Sequence, residues 1–374
     1  MNKMEDERYA WLALNSVQGI GPVLYRRLLD EIGPPEKVFL SSRQTLSRIE
    51  GLSEKSIEGI LGFKEDANVI REIELIKANA VSLIHYFHPH YPPQLKNIYD
   101  PPPYLYVTGE IWEQDLKSIA VVGTRKPTYY GKQIAAELTR DLVHCQMTIV
   151  SGFAMGIDQI AHQSALDAGG RTIAVLGCGI DVHYPLGSLA LKEAISGQGA
   201  VMTEFAMGMS AAPENFPRRN RLISGLALGV VVVEAAEKSG SLITASMALE
   251  QGKEVFAVPG PIHSGLSRGT HALIKSGAKL VERASDILEE LQGQFPPQSG
   301  SHSPSPVQEL EPDEKKIYDI ISLTPLHLDE ISYRSRFSSR KCSEVLLQLE
   351  LTGMVHQIEG NQFIVNITYK DLNG

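Results

Sequence analysis

Between Ser118 and about Gln292, two apolar patterns alternate along the chain and limit the folds it can adopt. Short runs rich in Val and Ile predict strands at Ile119–Val122, Thr148–Val150, Thr172–Leu176, Ala200–Thr203, Val230–Glu234, Glu254–Val258 and Lys279–Val281. Stretches with apolar residues at helical spacing separate most of them, including Gly131–Cys145, Ile157–Ala168, Ser241–Gln251 and Thr270–Ser276. Because the strands are apolar throughout and helices join them, we expect a parallel sheet covered on both faces. The sequence therefore predicts an α/β protein with a doubly wound, mostly parallel sheet.

The segment before this alternation is short and helical. Helical patterns flank Gly19-Ile20-Gly21, and a second helix–turn–helix pattern follows around Gly51, like a weak internal repeat. The two glycines of the first turn could expose backbone N–H groups to a DNA phosphate, as in a helix-hairpin-helix, or the turn could serve packing alone. Residues 82–110 form a connector whose prolines exclude a central strand, and Tyr104–Val107 is its one strand candidate.

A change in composition marks the C-terminal part of the chain. Residues 294–312 are rich in Pro, Ser, Gln and Gly, which predicts a flexible linker because so little apolar surface can be buried there. Three helical stretches and two short strands follow, in the order of a winged-helix domain. The expected domains are a helical domain at 1–80, the α/β domain at 81–292, a linker at 293–312 and the winged helix at 313–374.

The charge balance gives no overall argument for a nucleic-acid partner. The chain has 35 Lys and Arg against 44 Asp and Glu, a net charge of −9. Any such interface must therefore be built from local cations. No apolar run approaches the roughly 18–20 residues that span a bilayer, and the charged N-terminus lacks a signal-peptide core, so we expect a cytoplasmic protein without membrane contact. Three widely spaced cysteines predict neither a disulfide framework nor a zinc site.

Glycines follow nearly every predicted strand of the α/β domain. They occur in Gly123-Thr124-Arg125-Lys126, in Ser151-Gly152-Phe153-Ala154-Met155-Gly156, in Gly177-Cys178-Gly179, in Ser239-Gly240-Ser241 and in Pro259-Gly260. The carboxyl ends of parallel strands share one edge of the sheet, where helix N-termini present free N–H groups. Such an edge suits phosphates, and glycine lets the backbone approach them closely. One such loop could reflect turn geometry alone, but five on one edge favour phosphate binding.

Cations are added to the same edge. Arg125 and Lys126 follow the first strand, and Arg218, Arg219 and Arg221 cluster in a segment that is expected to open a helix. A charge run is often only a solvated face. Arginines at a helix N-terminus oppose the helix dipole, however, so their placement favours an anionic partner that offsets the repulsion.

The sequence offers little for catalysis or for a cofactor. The first turn carries one glycine instead of G-x-G-x-x-G, and there is no Walker A motif. Asp158 and His162 share a helix face and could form an acid–base pair, or they could be structural. His85, His88 and His90 lack the carboxylate or Cys partners of a metal site. We expect no catalytic site, no metal and no cofactor.

The ordered motifs resemble the DprA, or Smf, family of DNA-processing proteins of bacterial transformation. The matching stretches, over nearly the whole chain, are Ala120–Arg125, Ser151–Asp158 with Ala161-His162, Phe216–Arg221 with Ile223–Gly225, Val231–Glu234 with Ser239–Thr244, Ala257–Gly260 with Gly269-Thr270, and the lead-in Tyr91-Pro92 with Pro102–Tyr106. The resemblance implies a sterile-alpha-motif-like helical domain, an extended Rossmann-like domain and a winged helix. It also implies a homodimer that binds single-stranded DNA, protects it and loads the RecA recombinase, without catalysis.

By position, the resemblance assigns a DNA- and phosphate-binding set. Together with the loops above, the set comprises Gly123, Thr124, Arg125, Lys126, Ser151, Gly152, Gly156, Arg218, Arg219, Asn220, Arg221, Lys238, Ser239, Gly240 and Ser241. Phe153 and Phe216 are candidates for stacking on bases and are equally plausible as core residues. Arg340 and Lys341 of the predicted recognition helix leave DNA contact by the winged helix open.

Two other functions stay open from the residues. The domain type also resembles nucleoside-monophosphate phosphoribohydrolases, but the stretch Glu234–Thr244 lacks their Gly-Gly pair and trailing catalytic acid. Alternatively, a winged-helix regulator of duplex DNA could sense a nucleotide through its Rossmann-like domain. Preference for single strands and a steep salt dependence would distinguish the DprA-like function from this regulator.

Overall fold

The structure is a computed structural model that describes residues 6–291, 310–321, 325–352, 354–358 and 360–365. These residues belong to two compact units, an N-terminal unit (Met1–Leu291) and a C-terminal unit (Gln292–Gly374). Most of the predicted linker, 293–309, lies outside the described residues. Among the residues described, no helix is long and apolar enough to cross a membrane.

The N-terminal unit begins with six helices. These are α1 (Glu7–Ser16), α2 (Pro22–Glu31), α3 (Pro35–Phe39), α4 (Arg43–Leu46), α5 (Glu54–Leu61) and α6 (Ala67–Ala78). Helix α1 begins where the Asp6 carboxylate accepts a hydrogen bond from the backbone N–H of Arg8, a standard N-cap. Trp11 and Tyr25 are fully buried, and the Tyr25 hydroxyl donates to the Trp11 carbonyl at 2.9 Å. The helices share one hydrophobic core with the sheet that follows, so the boundary predicted near residue 80 stays a prediction.

A nine-stranded sheet forms the centre of this unit. Its strands are β1 (Ser82–His85), β2 (Tyr104–Gly109), β3 (Ser118–Val122), β4 (Thr148–Ser151), β5 (Thr172–Val175), β6 (Ala200–Thr203), β7 (Gly229–Val232), β8 (Glu254–Ala257) and β9 (Lys279–Leu280). The order is β1-β2-β6-β5-β4-β3-β7-β8-β9. Strands β3 to β9 pair in parallel, and β2 pairs antiparallel with both β1 and β6. The predicted doubly wound, mostly parallel sheet is confirmed.

Seven further helices connect the parallel strands or follow them. They are α7 (Tyr129–His144), α8 (Ile157–Asp167), α9 (Leu189–Gln198), α10 (Asn215–Leu226), α11 (Gly240–Glu250), α12 (Arg268–Lys275) and α13 (Ala284–Leu291). The chain winds from β3 through β4 and β5 to β6 on one side, and then returns to the other side of β3 with β7. The winding direction reverses between β3 and β7, so the loops after these two strands lead in opposite directions. This topological switch point is where doubly wound sheets bind their ligands.

The sequence missed one strand of the connector. Strand β1 lies at the outer edge of the sheet and pairs with β2 from Ser82 opposite Val107 to His85 opposite Tyr104. The prolines do interrupt regular pairing, because Pro93–Asn97 forms a 3₁₀ helix between these two strands. Strand β2 is nevertheless internal, since β1 covers its other edge.

The C-terminal unit has the predicted winged-helix order. Helices α14 (Pro312–Tyr318), α15 (Leu328–Ser335) and α16 (Ser339–Leu351) pack on a sheet formed by β10 (Leu326–His327), β11 (Val355–Ile358) and β12 (Gln362–Val365). Its core includes Ile317, Ile331 and Leu346, all fully buried. The short strand β10 was not anticipated. It pairs with β12 and makes the hairpin a three-stranded sheet in the order β10-β12-β11.

Candidate functional site

A cavity of about 250 Å³ opens at the switch point beside the carboxyl ends of β3 and β4. The predicted residues that line it are Gly123, Arg125, Arg219, Asn220, Ser239, Gly240 and Ser241. A second cavity of about 510 Å³ lies on the other side of Arg125 and is lined in part by Lys126 and Gly156. Loops distant in sequence thus meet where the strand order predicts a ligand site.

Two helices begin at this edge. Helix α11 begins at Gly240, and the Ser239 hydroxyl caps it by accepting from the Ser241 backbone N–H. Helix α8 begins at Ile157, directly after Gly156, which has no capping side chain. The first N–H groups of a helix have no partner within the helix and carry a partial positive charge. The Ile157 N–H already donates to the Thr124 carbonyl and the Ser241 N–H to the Ser239 hydroxyl, so both termini bring to this edge chiefly the partial positive charge of the helix dipole, which suits a phosphate.

Arg125 is one of two exposed cations in the loop after β3. Its guanidinium carbon lies 5.0 Å from the centre of the Phe216 ring, so the side chain is held over an aromatic face. The loop itself is fixed from below, because the Thr124 N–H donates to the Glu234 carbonyl at 2.8 Å. The Lys126 backbone N–H donates to the Thr124 hydroxyl at 3.2 Å, and the Lys126 side chain is exposed. The loop thus presents two cations on a constrained backbone.

Arg219 lies beneath this loop and is almost fully buried, with 4% of its surface exposed. Its Nη1 donates to the carbonyls of Gly152 and Val175, which ties the loops after β4 and β5 together. Burial lowers the pKa of Arg219 to about 10, with Asp158 opposing the shift. The guanidinium stays charged at neutral pH and contributes positive potential to the floor of the cavity.

Asp158 is the one carboxylate among the described residues that line the first cavity. It is 7% exposed and accepts a hydrogen bond from the Ala154 N–H at 3.2 Å, which shapes the loop after β4. Burial raises its pKa to about 6, with Arg219 opposing the shift. The cost of burying this charge is therefore only partly offset by its neighbours.

Two glycines of the second loop are required by close approach. A Cβ on Gly152 would lie 2.8 Å from both the Arg219 guanidinium and Asp158 Oδ2. Gly156 has φ +88°, and a Cβ there would collide with the Thr124 carbonyl. Glycine thus lets the loops after β3 and β4 touch each other. Ser151, the last residue of β4, is fully buried and donates to the Val121 carbonyl at 2.6 Å, so it supports the site from within the sheet.

The arginine cluster divides into three different environments. Helix α10 begins at Asn215, as the sequence predicted. Arg218 is exposed, with its guanidinium carbon 5.3 Å from the Phe205 ring. Arg221 is 7% exposed and forms ion pairs with Asp100 at 2.7 Å and Glu204 at 2.8 Å. The assignment of Arg221 to phosphate binding is therefore corrected: two carboxylates already neutralise it, and it joins the connector to the sheet.

The remaining predicted residues, one lysine, one asparagine and two phenylalanines, differ in their exposure and in their contacts. Lys238 is exposed in the loop that precedes the α11 N-terminus. The Asn220 amide accepts from Arg219 Nε at 3.1 Å and donates to the Gly240 carbonyl at 3.4 Å, so it bridges α10 and α11. Phe153 is 2% exposed and belongs to the core, which removes it as a stacking candidate. Phe216 is half-buried between Arg125 and Arg219. Its position two residues before Arg218 was the signal that could have identified it as an aromatic support for the arginines.

The catalytic alternatives find little support in the geometry. His162 is bonded to the Thr172 hydroxyl at 2.7 Å instead of to Asp158, and burial lowers its pKa to about 3. Glu234, at the start of the stretch compared with phosphoribohydrolases, is 3% exposed. Its carboxylate accepts from the Thr128 hydroxyl at 2.6 Å and from the Thr128 N–H at 2.9 Å. Both side chains are engaged in holding the fold.

Two features outside this edge were also singled out in the sequence. His85 stacks on Trp11 with ring centres 4.4 Å apart, and its Nε2 lies 3.0 Å from Glu7. Within the described ranges, no group of three His, Cys, Asp or Glu side chains is arranged to hold a metal ion. In the Gly19 turn, a Cβ on Gly19 would lie 2.7 Å from the Ser56 hydroxyl, so packing against α5 accounts for that glycine.

Comparison with known proteins addresses the family. A family model described as DNA recombination-mediator protein A matches residues 82–292. The chain belongs to this family. A DprA winged-helix model matches residues 301–361, and a SAM-like helix-hairpin-helix tandem matches residues 12–61. The predicted membership of the DprA, or Smf, family is confirmed, and so is the predicted combination of a Rossmann-like sheet with these two flanking folds.

Similar proteins cover most of the chain. It is 34% identical to Protein Smf of Synechocystis over 96% of this chain and 98% of that protein. It is 42% identical to the DNA processing protein DprA of Bacillus subtilis over 59% of this chain and 75% of that protein. The crystal structure of DprA from Streptococcus pneumoniae superposes with a TM-score of 0.66 and 35% identity, covering 75% of this chain and 97% of that one. DprA of Helicobacter pylori, described for its single-stranded DNA binding mode, gives 0.51 at 30% identity over 57% and 97%.

Proposed function

We propose that the chain binds single-stranded DNA at the carboxyl edge of its sheet, protects it, and loads RecA onto it during transformation or recombination. In this proposal it acts as a homodimer and carries out no chemical step. Family membership and the single-stranded DNA binding mode described for the relative from Helicobacter pylori support the DNA ligand. The relatives named DNA processing protein DprA support the wider role.

The observation that carries the proposal is the environment of Arg125. Its side chain is exposed between two cavities, stacks on Phe216, and forms no ion pair with another described residue. A constrained cation without a carboxylate partner, next to the positively polarised N-termini of α8 and α11, is suited to a phosphodiester.

The residues proposed to contact DNA are fewer than the predicted set, because the buried residues of that set support the site from beneath. Arg125, Lys126, Arg218 and Lys238 supply exposed cations, and we expect backbone donors from Gly123, Gly156 and Gly240. Ser151, Gly152, Arg219 and Asn220 act beneath them by holding the loops in place. Phosphate contacts of this type carry no sequence information, so we expect binding that is independent of base sequence.

The test compares a labelled single strand with its duplex by fluorescence anisotropy across a salt series. We expect preference for the single strand, with log affinity falling by about 0.7 per phosphate contact for each unit of log salt. Arg125→Ala should weaken binding and reduce that slope. Arg140→Ala is the matched control, because Arg140 is exposed near the far end of α7, about 16 Å along the helix from its first residue.

Equal affinity of wild type and Arg125→Ala for the single strand would refute this placement of the site. Absence of strand selectivity in the wild-type chain would refute the DNA function, and release of free base from a nucleoside monophosphate would revive the enzymatic alternative. The RecA step has its own test: RecA assembly on a labelled strand should begin sooner with the chain than without it, and Arg125→Ala should lose this effect. Light scattering of the purified chain tests the homodimer.

A further inference from the structure

The second cavity, of about 510 Å³, is not explained by a single phosphate bound at Arg125. It is bounded on one side by the loop after β3 and the first turns of α7, and on the other side by α8. Lys132 of α7 and Gln159 of α8 both line it, and neither was part of the predicted set. The cavity is large enough for a nucleotide, since small-ligand pockets begin at about 300 Å³.

The charged side chains that line this cavity are all positive. Arg125, Lys126 and Lys132 contribute three cations, and no carboxylate is present among the described lining residues. The first cavity, by contrast, includes Asp158. Lys132 is exposed and has no ion-pair partner in the described part of the chain. Like-charged side chains repel each other, so this grouping in an acidic protein favours an anion between them.

Arg125 connects the two cavities, because its side chain lines both. A ligand phosphate held by Arg125 therefore has one cavity on each side of it. A single strand continues in both directions from any internal phosphate, and grooves that follow such a strand place successive cations along the backbone. An isolated nucleotide would need only one of the two cavities.

We propose that the cavity between α7 and α8 holds the nucleotide that adjoins the one at Arg125, and that Lys132 and Lys126 contact its phosphate. This inference rests on the proposed function and extends it to a defined path of the strand. Gln159 is half-buried in the wall and has an amide with two donors and one acceptor, which suits a sugar or base edge. The amide of Gln163 is already held, since it donates to Asp167 at 2.7 Å.

The experiment measures anisotropy of a labelled oligothymidylate with full-length wild type, Lys132→Ala, Lys132→Arg and Arg140→Ala across a salt series. Lys132→Ala is expected to bind about two- to fivefold more weakly at low salt, as an exposed ion pair would predict. Its salt slope should be smaller by about 0.7, the loss of one phosphate contact. Lys132→Arg keeps the charge and should restore both values. Arg140 lies two turns further along the same helix and is exposed, so Arg140→Ala removes equal charge outside the cavity.

The outcomes separate this inference from the function on which it rests. If Lys132→Ala matches Arg140→Ala in affinity and slope while Arg125→Ala is weakened, the strand does not pass between α7 and α8, and the inference is wrong. If the wild-type chain fails to bind single strands, the proposed function itself fails. Lys132 is exposed on its helix, so thermal melting of the variant should match that of the wild type and show that any loss of binding is local.

Discussion

The buried carboxyl group of Asp158 should make the stability of the N-terminal unit depend on pH. Burial raises its pKa from 3.8 to about 6 in the folded chain. Between these values the folded state holds a proton that the unfolded state has released, so the free energy of unfolding falls as pH rises. The stabilising contribution is complete below the unfolded pKa and is lost as pH rises through the folded pKa.

The magnitude follows from the shift. A raised pKa of about 6 against 3.8 is roughly two units, and each unit corresponds to about 1.36 kcal/mol. The ionised carboxylate therefore costs about 3 kcal/mol at neutral pH relative to acid, an order-of-magnitude figure. Asp158→Asn keeps the shape and the acceptor for the Ala154 N–H but has no charge to bury. The stability difference, variant minus wild type, should grow by about 3 kcal/mol between about pH 4 and pH 7.5.

Urea unfolding followed by tryptophan fluorescence gives this difference. The chain has two tryptophans, Trp11 and Trp112, and both lie in the N-terminal unit, so the signal follows that unit. The comparison with wild type is essential because His162 acts in the opposite direction. Burial lowers its pKa to about 3, so the unfolded state takes up the proton first as pH falls, and His162 destabilises the folded state in acid. That effect is present in both proteins and cancels in the difference.

A difference that does not change with pH would show that Asp158 titrates normally in the folded chain and would refute the burial argument. A difference that shrinks as pH rises would mean that Arg219 stabilises the carboxylate more than burial destabilises it. Asp167→Asn on the same helix is the control, because Asp167 is exposed at the end of α8. Asp158→Asn should also bind single strands more tightly than wild type at neutral pH, since it removes a negative charge from the cavity floor.

Two further substitutions test the scaffold, the first at the amino ends of the strands and the second at the carboxyl edge. Asp115→Ala should lower the free energy of unfolding by about 3–5 kcal/mol, because it leaves Arg171, which is 8% exposed, without its bidentate carboxylate; a loss near zero in urea unfolding would contradict this. Gly156→Ala should cost about 1–3 kcal/mol for its positive φ and, by pushing on the Thr124 carbonyl, should also weaken single-strand binding in the anisotropy assay. Gly208→Ala is the matched control, since Gly208 has φ +74° with open space around its Cβ position, and equal binding losses in both variants would disprove the role of the contact.

The sheet was predictable from the sequence because its inner parallel strands, β3 to β7, are mostly apolar and buried on both faces. Strands β3 to β9 and the helices α7, α8, α11 and α12 lie within a few residues of their predicted bounds. The short helices α3 and α4 escaped prediction, since four or five residues give no helical period to recognise. Strand β1 escaped for another reason: a four-residue edge strand followed by prolines has the composition of a loop, and only its pairing with β2 defines it.

The arginine cluster shows why a site cannot be read from charge alone. Successive residues of a helix point about 100° apart, so Arg219 must lie on a different side of α10 from Arg218 and Arg221, which are three residues apart, once that segment is helical. The sequence predicts the helix and therefore the divergence, but not which face is buried. That depends on Asp100 and Glu204, which lie 121 and 17 residues away in sequence and meet Arg221 only after the connector and β6 are in place. Arg125 stays available for a ligand because the fold offers it Phe216 instead of a carboxylate. The partner that tertiary structure supplies decides which of these cations can bind a phosphate.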